Sequence, residues 1–317
     1  MNDKIITTRE ARGGQLVIGM AAFLVPFMGS ALNLALPEIG EAFSMKAVTL
    51  AWISTVYLIS TATLQVPLAR LADMVGRKKI FCLGVLLFSA CTFACGLAPS
   101  TRALLVARFL AGAGSAMMFG TSTAILTSLF PPERRGWALG INVAVVYAAL
   151  AAGPFLGGML THYLGWKALF FSSAGVGLLV LPLARRFLRG EWVEARGERF
   201  DWTGSILYGT GLAGVIHGFS TLSTVVGVAC FVTGAVLLVL FVLHERRHSS
   251  PVLDTRLVSG NRVFRVSLLA ALVNYAATSA IAFMLSIYLQ YARGLDARRA
   301  GIILISQACV QSLFSLV

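Results

Sequence analysis

Long uncharged runs separated by short clusters of charge set the pattern of this chain. Positions 48–69 and 80–101 hold no charged residue, and each is long enough to cross a bilayer as a helix, which takes ~20 residues. Reading every such run the same way predicts nine membrane spans, at 16–36, 48–69, 80–98, 104–129, 136–160, 168–183, 202–220, 225–243 and 266–291. The uncharged stretch 202–244 is too long for one helix, and 219–224 is its expected break. A tenth apolar run, 300–317, is still apolar where the sequence stops. The expectation is therefore a fragment or truncated product of a longer protein. A short tenth helix is the alternative.

Two long polar inserts, 185–201 and 244–265, divide the spans. The expected organisation is a six-helix bundle over 1–190, a linker with two inserted helices over 191–250, and the start of a further bundle over 251–317. The first run, 16–36, is too long for a signal sequence and has no clear cleavage site, so it reads as a retained span.

Composition agrees with this picture. Of 317 residues, 57% are hydrophobic and only 12% charged, against roughly 25% charged in soluble domains. The net charge of +13 does not point to nucleic acid, because the bases lie between apolar runs rather than in one patch. Nineteen of the 26 Lys and Arg fall in segments on one side of the predicted spans and six on the other, with Arg108 inside a span. The positive-inside rule then puts the N-terminus in the cytoplasm. The five cysteines are not spaced as a metal site and read as small membrane residues.

Three local patterns carry chemistry. The first is the charged turn 69–79. Arg70 ends one span, Asp73 sits at the turn, Gly76 allows a tight bend, and Arg77, Lys78 and Lys79 open the next helix. A carboxylate at a helix end accepts charge-assisted bonds from guanidinium or backbone donors, so such a cluster can latch neighbouring helices. Ordinary basic flanking with an incidental Asp is the plainer reading. The second is Arg108, which should face the bundle interior or water because an isolated charge in a span is costly. Alternatively it snorkels to the outer interface near Arg102. The third is Gly153-Pro154-Phe155-Leu156-Gly157-Gly158, where small residues let helices approach and proline loosens the backbone ladder.

The charged turn resembles the loop between the second and third spans of the major facilitator superfamily, whose pattern is Gly-x-Leu-Ala-Asp-Arg-x-Gly-Arg-Lys. The chain keeps Leu71, Ala72, Asp73, Gly76, Arg77 and Lys78, and departs at Ala69 and Met74. The stretch 104–116 is similar to the family's fourth-span motif in Arg108 and Gly112, with Ala111 in place of its glutamine. Residues 153–158 resemble the fifth-span pattern of the antiporters, with Ala149 for an earlier glycine. The fourteen-helix drug:proton antiporter branch is resembled by Asn33 to Pro37, Trp52 with Tyr57-Leu58, and Pro132 to Gly136. Asp201-Trp202-Thr203-Gly204, Pro251 to Asp254, Tyr288-Leu289-Gln290 and Ala300-Gly301 extend the likeness. A relative with fourteen helices would leave about four spans missing.

The resemblance implies an all-α major facilitator fold and a multi-pass cell-membrane transporter, not an enzyme. It would export drugs or other small amphipathic molecules by alternating access, with proton antiport as the implied coupling. The expected partners are a small-molecule substrate, protons and the lipid bilayer, with no cofactor or metal. The oligomeric state is not legible. Asp73, Arg77 and Lys78 would latch the cytoplasmic side, with Arg70 and Gly76 in the same gate. Arg108 would organise the cavity or link it to protonation. Gly153, Pro154, Gly157 and Gly158 would set the helix packing near that cavity.

One departure cuts against proton coupling. The branch usually carries an Asp five residues before Asn33, and here that position is Met28. None of the 13 acids lies mid-span, whereas proton exchange usually uses a membrane-embedded carboxylate. Glu38, near the outer mouth, could partner Arg108 and serve. His217 and His162 are weaker candidates. Asn33, Gln65, Asn142, Tyr147, Asn274, Tyr275 and Gln290 could line a cavity or bond between helices. No hydrolase triad, phosphate loop, dinucleotide fingerprint or zinc spacing occurs, so ATP-driven transport is disfavoured. The reading that competes with a transporter is a truncated, transport-incompetent membrane protein with a structural or regulatory role.

Overall fold

Apolar runs this long leave a backbone in lipid only one open choice, since every N–H and C=O must bond within its own segment. The structure, a computed structural model, follows that choice. It describes residues 8–248, 250–253 and 260–294, with positions 299, 303, 306 and 310 beyond them. Within these residues the regular structure is helical throughout, with no strand. The elements are α1 (Thr8–Ala42), α2 (Ala47–Val75), α3 (Arg77–Gly96), α4 (Thr101–Leu129) and α5 (Pro132–Leu164). They continue with α6 (Trp166–Phe187), α7 (Trp202–Ser220), α8 (Val225–Glu245) and α9 (Arg262–Ile287), and a π-helical turn (Tyr288–Ala292) follows α9. The apolar run 300–317 and the Ala300-Gly301 match lie outside the described residues, apart from the isolated positions named above.

Several helix starts are visible in the sequence as capping residues. Ser100 Oγ accepts from the Ala103 N–H at 3.3 Å, and Thr224 Oγ1 from the Gly227 N–H at 3.0 Å. Asn261 Oδ1 accepts from the Phe264 N–H at 3.1 Å. Each satisfies one of the N-terminal donors that a helix leaves open. Pro132 opens α5, where its missing N–H costs nothing. The expected break at 219–224 is the turn between α7 and α8.

Helices α1 to α6 and α8 are each long and apolar enough to cross a membrane. Helix α7 holds five glycines among its 19 residues, and three of them serve packing. A Cβ on Gly211 would meet Leu238, one on Gly214 would meet Gly234, and one on Gly218 would meet Phe231. The α7–α8 hairpin is therefore joined by backbone approach, as membrane helices without a hydrophobic drive between them require.

Helix α1 is the axis of the first six. It packs against α5, α6 and α4, while α4 packs against α3 and α2, and α3 against α6. Two-thirds of α1's most apolar window is buried (67%), against 17% for α8, whose surface is mostly exposed. The hairpin meets the bundle through α7 on α2. There Tyr208 Oη donates to the Ala62 carbonyl at 3.3 Å, and His217 lies against Trp52 with ring centroids 5.3 Å apart.

Candidate functional site: a charged clasp and a buried arginine

The turn between α2 and α3 is a single residue, Gly76, at φ +133°. That backbone region is open to glycine and strained for other residues. There is also no room for a side chain, because a Cβ would lie 2.6 Å from the Glu191 carboxylate. The bend therefore brings the end of α2, the start of α3 and the segment after α6 to one point.

Arg77 is the centre of that point. It is only 7% exposed. Its Nε donates to Asp73 Oδ1 at 2.7 Å, one helical turn back across the bend. Its Nη1 donates to Glu194 Oε1 at 2.7 Å and to Ser128 Oγ, near the end of α4, at 3.2 Å. Arg70 pairs with Glu198. The backbone adds four more bonds. The Arg77 N–H donates to the Trp192 carbonyl at 3.0 Å, and the Ala195 N–H to the Asp73 carbonyl at 3.0 Å. Glu191 Oε1 accepts from the Lys78 and Lys79 N–H groups at 2.8 and 3.4 Å. A carboxylate on the first free N–H groups of a helix is favoured by both hydrogen bonding and the helix dipole. Lys78 thus enters the clasp through its backbone.

Sequence reasoning found one side of this clasp and missed the other. Glu191, Glu194 and Glu198 recur every three to four residues in a linker that is otherwise strongly basic. That recurrence, facing the cationic turn, was the available signal.

Arg108 on α4 lies inside the bundle and is 1% exposed. The snorkelling alternative therefore does not describe it. Its Nε donates to the Ile53 carbonyl at 3.1 Å, and its guanidinium sits 4.1 Å from the Tyr57 ring centroid. Tyr57 Oη is itself held 2.7 Å from Ser115 Oγ. Both Nη1 and Nη2 of Arg108 are buried with no hydrogen-bond partner among the described residues. The expected Glu38–Arg108 pair is thus not formed. Glu38 is half-buried at the far end of α1, while Arg108 is enclosed by α2 through Ile53 and Tyr57. Met28, where the antiporter branch has its acid, is fully buried in the core.

The glycine motif is the contact of α5 with α1. A Cβ at Gly153 would collide with Ser30, and one at Gly157 would lie 2.5 Å from the Ala31 Cβ. Gly158 faces Leu34. Pro154 leaves α5 continuous from Pro132 to Leu164. Asn33 is exposed on α1, and Asn142 is half-buried on α5 with its Oδ1 unpartnered among the described residues. Asn274 Nδ2 donates to Tyr147 Oη at 3.5 Å, tying α9 to α5. His162 is exposed and packs on Tyr163. The Gln290 side chain and Asp254 lie outside the described residues. An apolar groove of about 470 Å³ runs between α1, α5 and α6, past Gly19, Phe23, Val145 and Val176, and neither Arg108 nor Asn33 lines it.

The one-glycine turn clasped by acids, the cation inside the bundle and the glycine seam all lie in one helical bundle. The comparisons name its class. The model of the Major Facilitator Superfamily matches residues 18–317, and the chain belongs to that family. Multidrug resistance protein Stp of Mycobacterium tuberculosis is 32% identical over 76% of the chain and 46% of its own length. Puromycin resistance protein pur8 of Streptomyces alboniger is 34% identical over 78% of the chain and 50% of its own length. The uncharacterised MFS-type transporter YhcA of Bacillus subtilis is 29% identical over 95% of the chain and 57% of its own length. The chain thus spans about half the length of these curated relatives. Among solved structures, the proton:xylose symporter XylE shares the fold at a TM-score of 0.65 and 13% identity, over 97% of this chain and 68% of XylE. The human organic anion transporter MFSD10 does so at 0.62 and 18% identity, over 96% and 72%.

Proposed function

We propose that the chain belongs to a secondary transporter that exports drugs or other small amphipathic molecules. It would work by alternating access, one bundle rocking against another. The basic end would face the cytoplasm of a cell membrane, as the distribution of Lys and Arg implies. The observation that carries the reading is the clasp at the α2–α3 turn. Ion pairs that exist in one state and break in another bias the equilibrium between them. Arg70, Asp73, Gly76 and Arg77, with Glu191, Glu194 and Glu198, hold the basic end together and so favour the state closed on that side. The names of Stp and pur8 support drug efflux.

Arg108 is the group that faces the transport path in this reading. Its two unpartnered nitrogens would bind an incoming carboxylate, from the substrate or from a proton-exchanging acid. Proton antiport is the coupling proposed. Glu38 does not reach Arg108 in this state, so the exchange would include a movement that brings an acid to it.

Asp73→Asn tests the gate. Efflux of a panel of dyes and antibiotics should fall while protein abundance in the membrane stays the same. Unchanged efflux would remove the clasp from the mechanism.

A further inference from the structure

At the end of the inserted hairpin, Asp201 precedes α7 and His244 lies in the last turn of α8. His248 follows one turn later. Asp201 is 4% exposed. Its Oδ1 caps α7 by accepting from the Gly204 N–H at 2.8 Å, which leaves Oδ2 free to point at the histidines. Oδ2 is 2.9 Å from His244 Nε2 and 3.8 Å from His248 Nδ1. All three ligand atoms lie within 4.8 Å of one another. A tetrahedral ion with bonds of ~2.1 Å holds its ligands about 3.4 Å apart, so changes of under about 1.5 Å in these separations would close the set. The spacing of His244 and His248 puts both rings on one side of the chain, the arrangement that helical zinc sites use.

A second, independent feature points to a cation. Glu245 is 3% exposed and its Oε1 is buried without a hydrogen-bond partner among the described residues. Its Oε2 accepts from the Leu253 N–H at 3.4 Å. Glu245 Oε1 and Asp201 Oδ2 converge on one spot, at 2.5 and 2.6 Å from where a Cβ on Gly204 would stand. Glycine at 204 thus keeps open the space that both oxygens face. Two buried carboxylates turned toward the same spot repel each other unless something positive lies near them.

We propose that Asp201, His244 and His248 form a binding site for a divalent transition-metal ion, with the buried Glu245 carboxylate adding negative charge beside it. Two imidazoles with one carboxylate and an open fourth position suit a borderline cation such as Zn²⁺ or Co²⁺ over Mg²⁺ or Ca²⁺. The ion would tie the start of α7 to the end of α8. The sequence conceals the set because Asp201 is 43 positions from His244.

The test uses the protein purified in detergent with a tag free of histidine, which leaves His162 and His217 as its only other histidines. The wild type should bind one Zn²⁺ saturably per chain, and Co²⁺ in its place should give the visible absorption of a tetrahedral site. His244→Gln/His248→Gln should weaken Zn²⁺ binding by more than the about 10–100-fold that loss of an outer-shell partner costs. His248→Gln alone, beyond the end of α8, leaves the helix intact and should also weaken binding at least about tenfold. No saturable binding by the wild type, or equal binding by the wild type and His248→Gln, would overturn the site.

Discussion

Among the described residues two arginines are buried, and their surroundings differ. Arg77, 7% exposed, meets Asp73, Glu194 and Ser128. Arg108, 1% exposed, meets one carbonyl and one aromatic ring, and no acid among the described residues. Removing a charge from water costs several kcal/mol unless it is paired and bonded. Arg77 has that compensation and Arg108 has little of it. The difference separates two jobs. A fully partnered arginine holds a structure closed, while an under-partnered one is held ready for a group that arrives later. The cation–π contact with Tyr57, worth about 0.5–2 kcal/mol, offsets only part of Arg108's burial.

The largest effect should come from the under-partnered arginine. Arg108→Ala should reduce efflux to that of cells lacking the protein, with the variant still present in the membrane at normal abundance. An efflux assay alongside a membrane immunoblot checks both. Retained efflux would make Arg108 a structural relic and erase the contrast. Next is Glu194→Gln, which leaves Arg77 with Asp73 but takes away a charge-assisted bond. It should lower stability by about 1–2 kcal/mol in thermal melts of the purified protein. The smallest effect should be Glu198→Gln. Its partner Arg70 is more exposed than Arg77, 20% against 8% of the side chain, and exposed pairs contribute about 0–1 kcal/mol. Its effect should shrink further at high salt. A larger cost at Glu198 than at Glu194 would move the centre of the clasp from Arg77 to Arg70.

Much of the fold was legible because the apolar runs admit only helices, and the broken stretch 202–244 showed where α7 turns into α8. Helix ends ran past the predicted spans, as in α1 (Thr8–Ala42) against 16–36, because hydropathy marks the lipid-facing length and not the helix. The charged turn stood out for the same reason that it works, as charge compressed between two apolar segments. Its acidic partners did not, because Glu191, Glu194 and Glu198 lie in a basic linker more than a hundred positions from Arg77. The surroundings of Arg108 were hidden for another reason. One of its two contacts is the Ile53 backbone carbonyl, which every residue type supplies. The pair with Glu38, expected from its charge and its place near the outer mouth, is not formed in this structure.

The most direct measurement is the thermal melt of Arg77→Met and Arg108→Met side by side with the parent protein. Arg77→Met strands Asp73 and Glu194 and should lower the stability by about 1–3 kcal/mol, less than the about 3–5 of a fully buried pair, because the Glu194 side chain is 66% exposed. Arg108→Met removes a buried charge that leaves no acid stranded among the described residues, so its melting temperature should equal or exceed that of the parent. A fall in Arg108→Met as large as that in Arg77→Met would contradict the account.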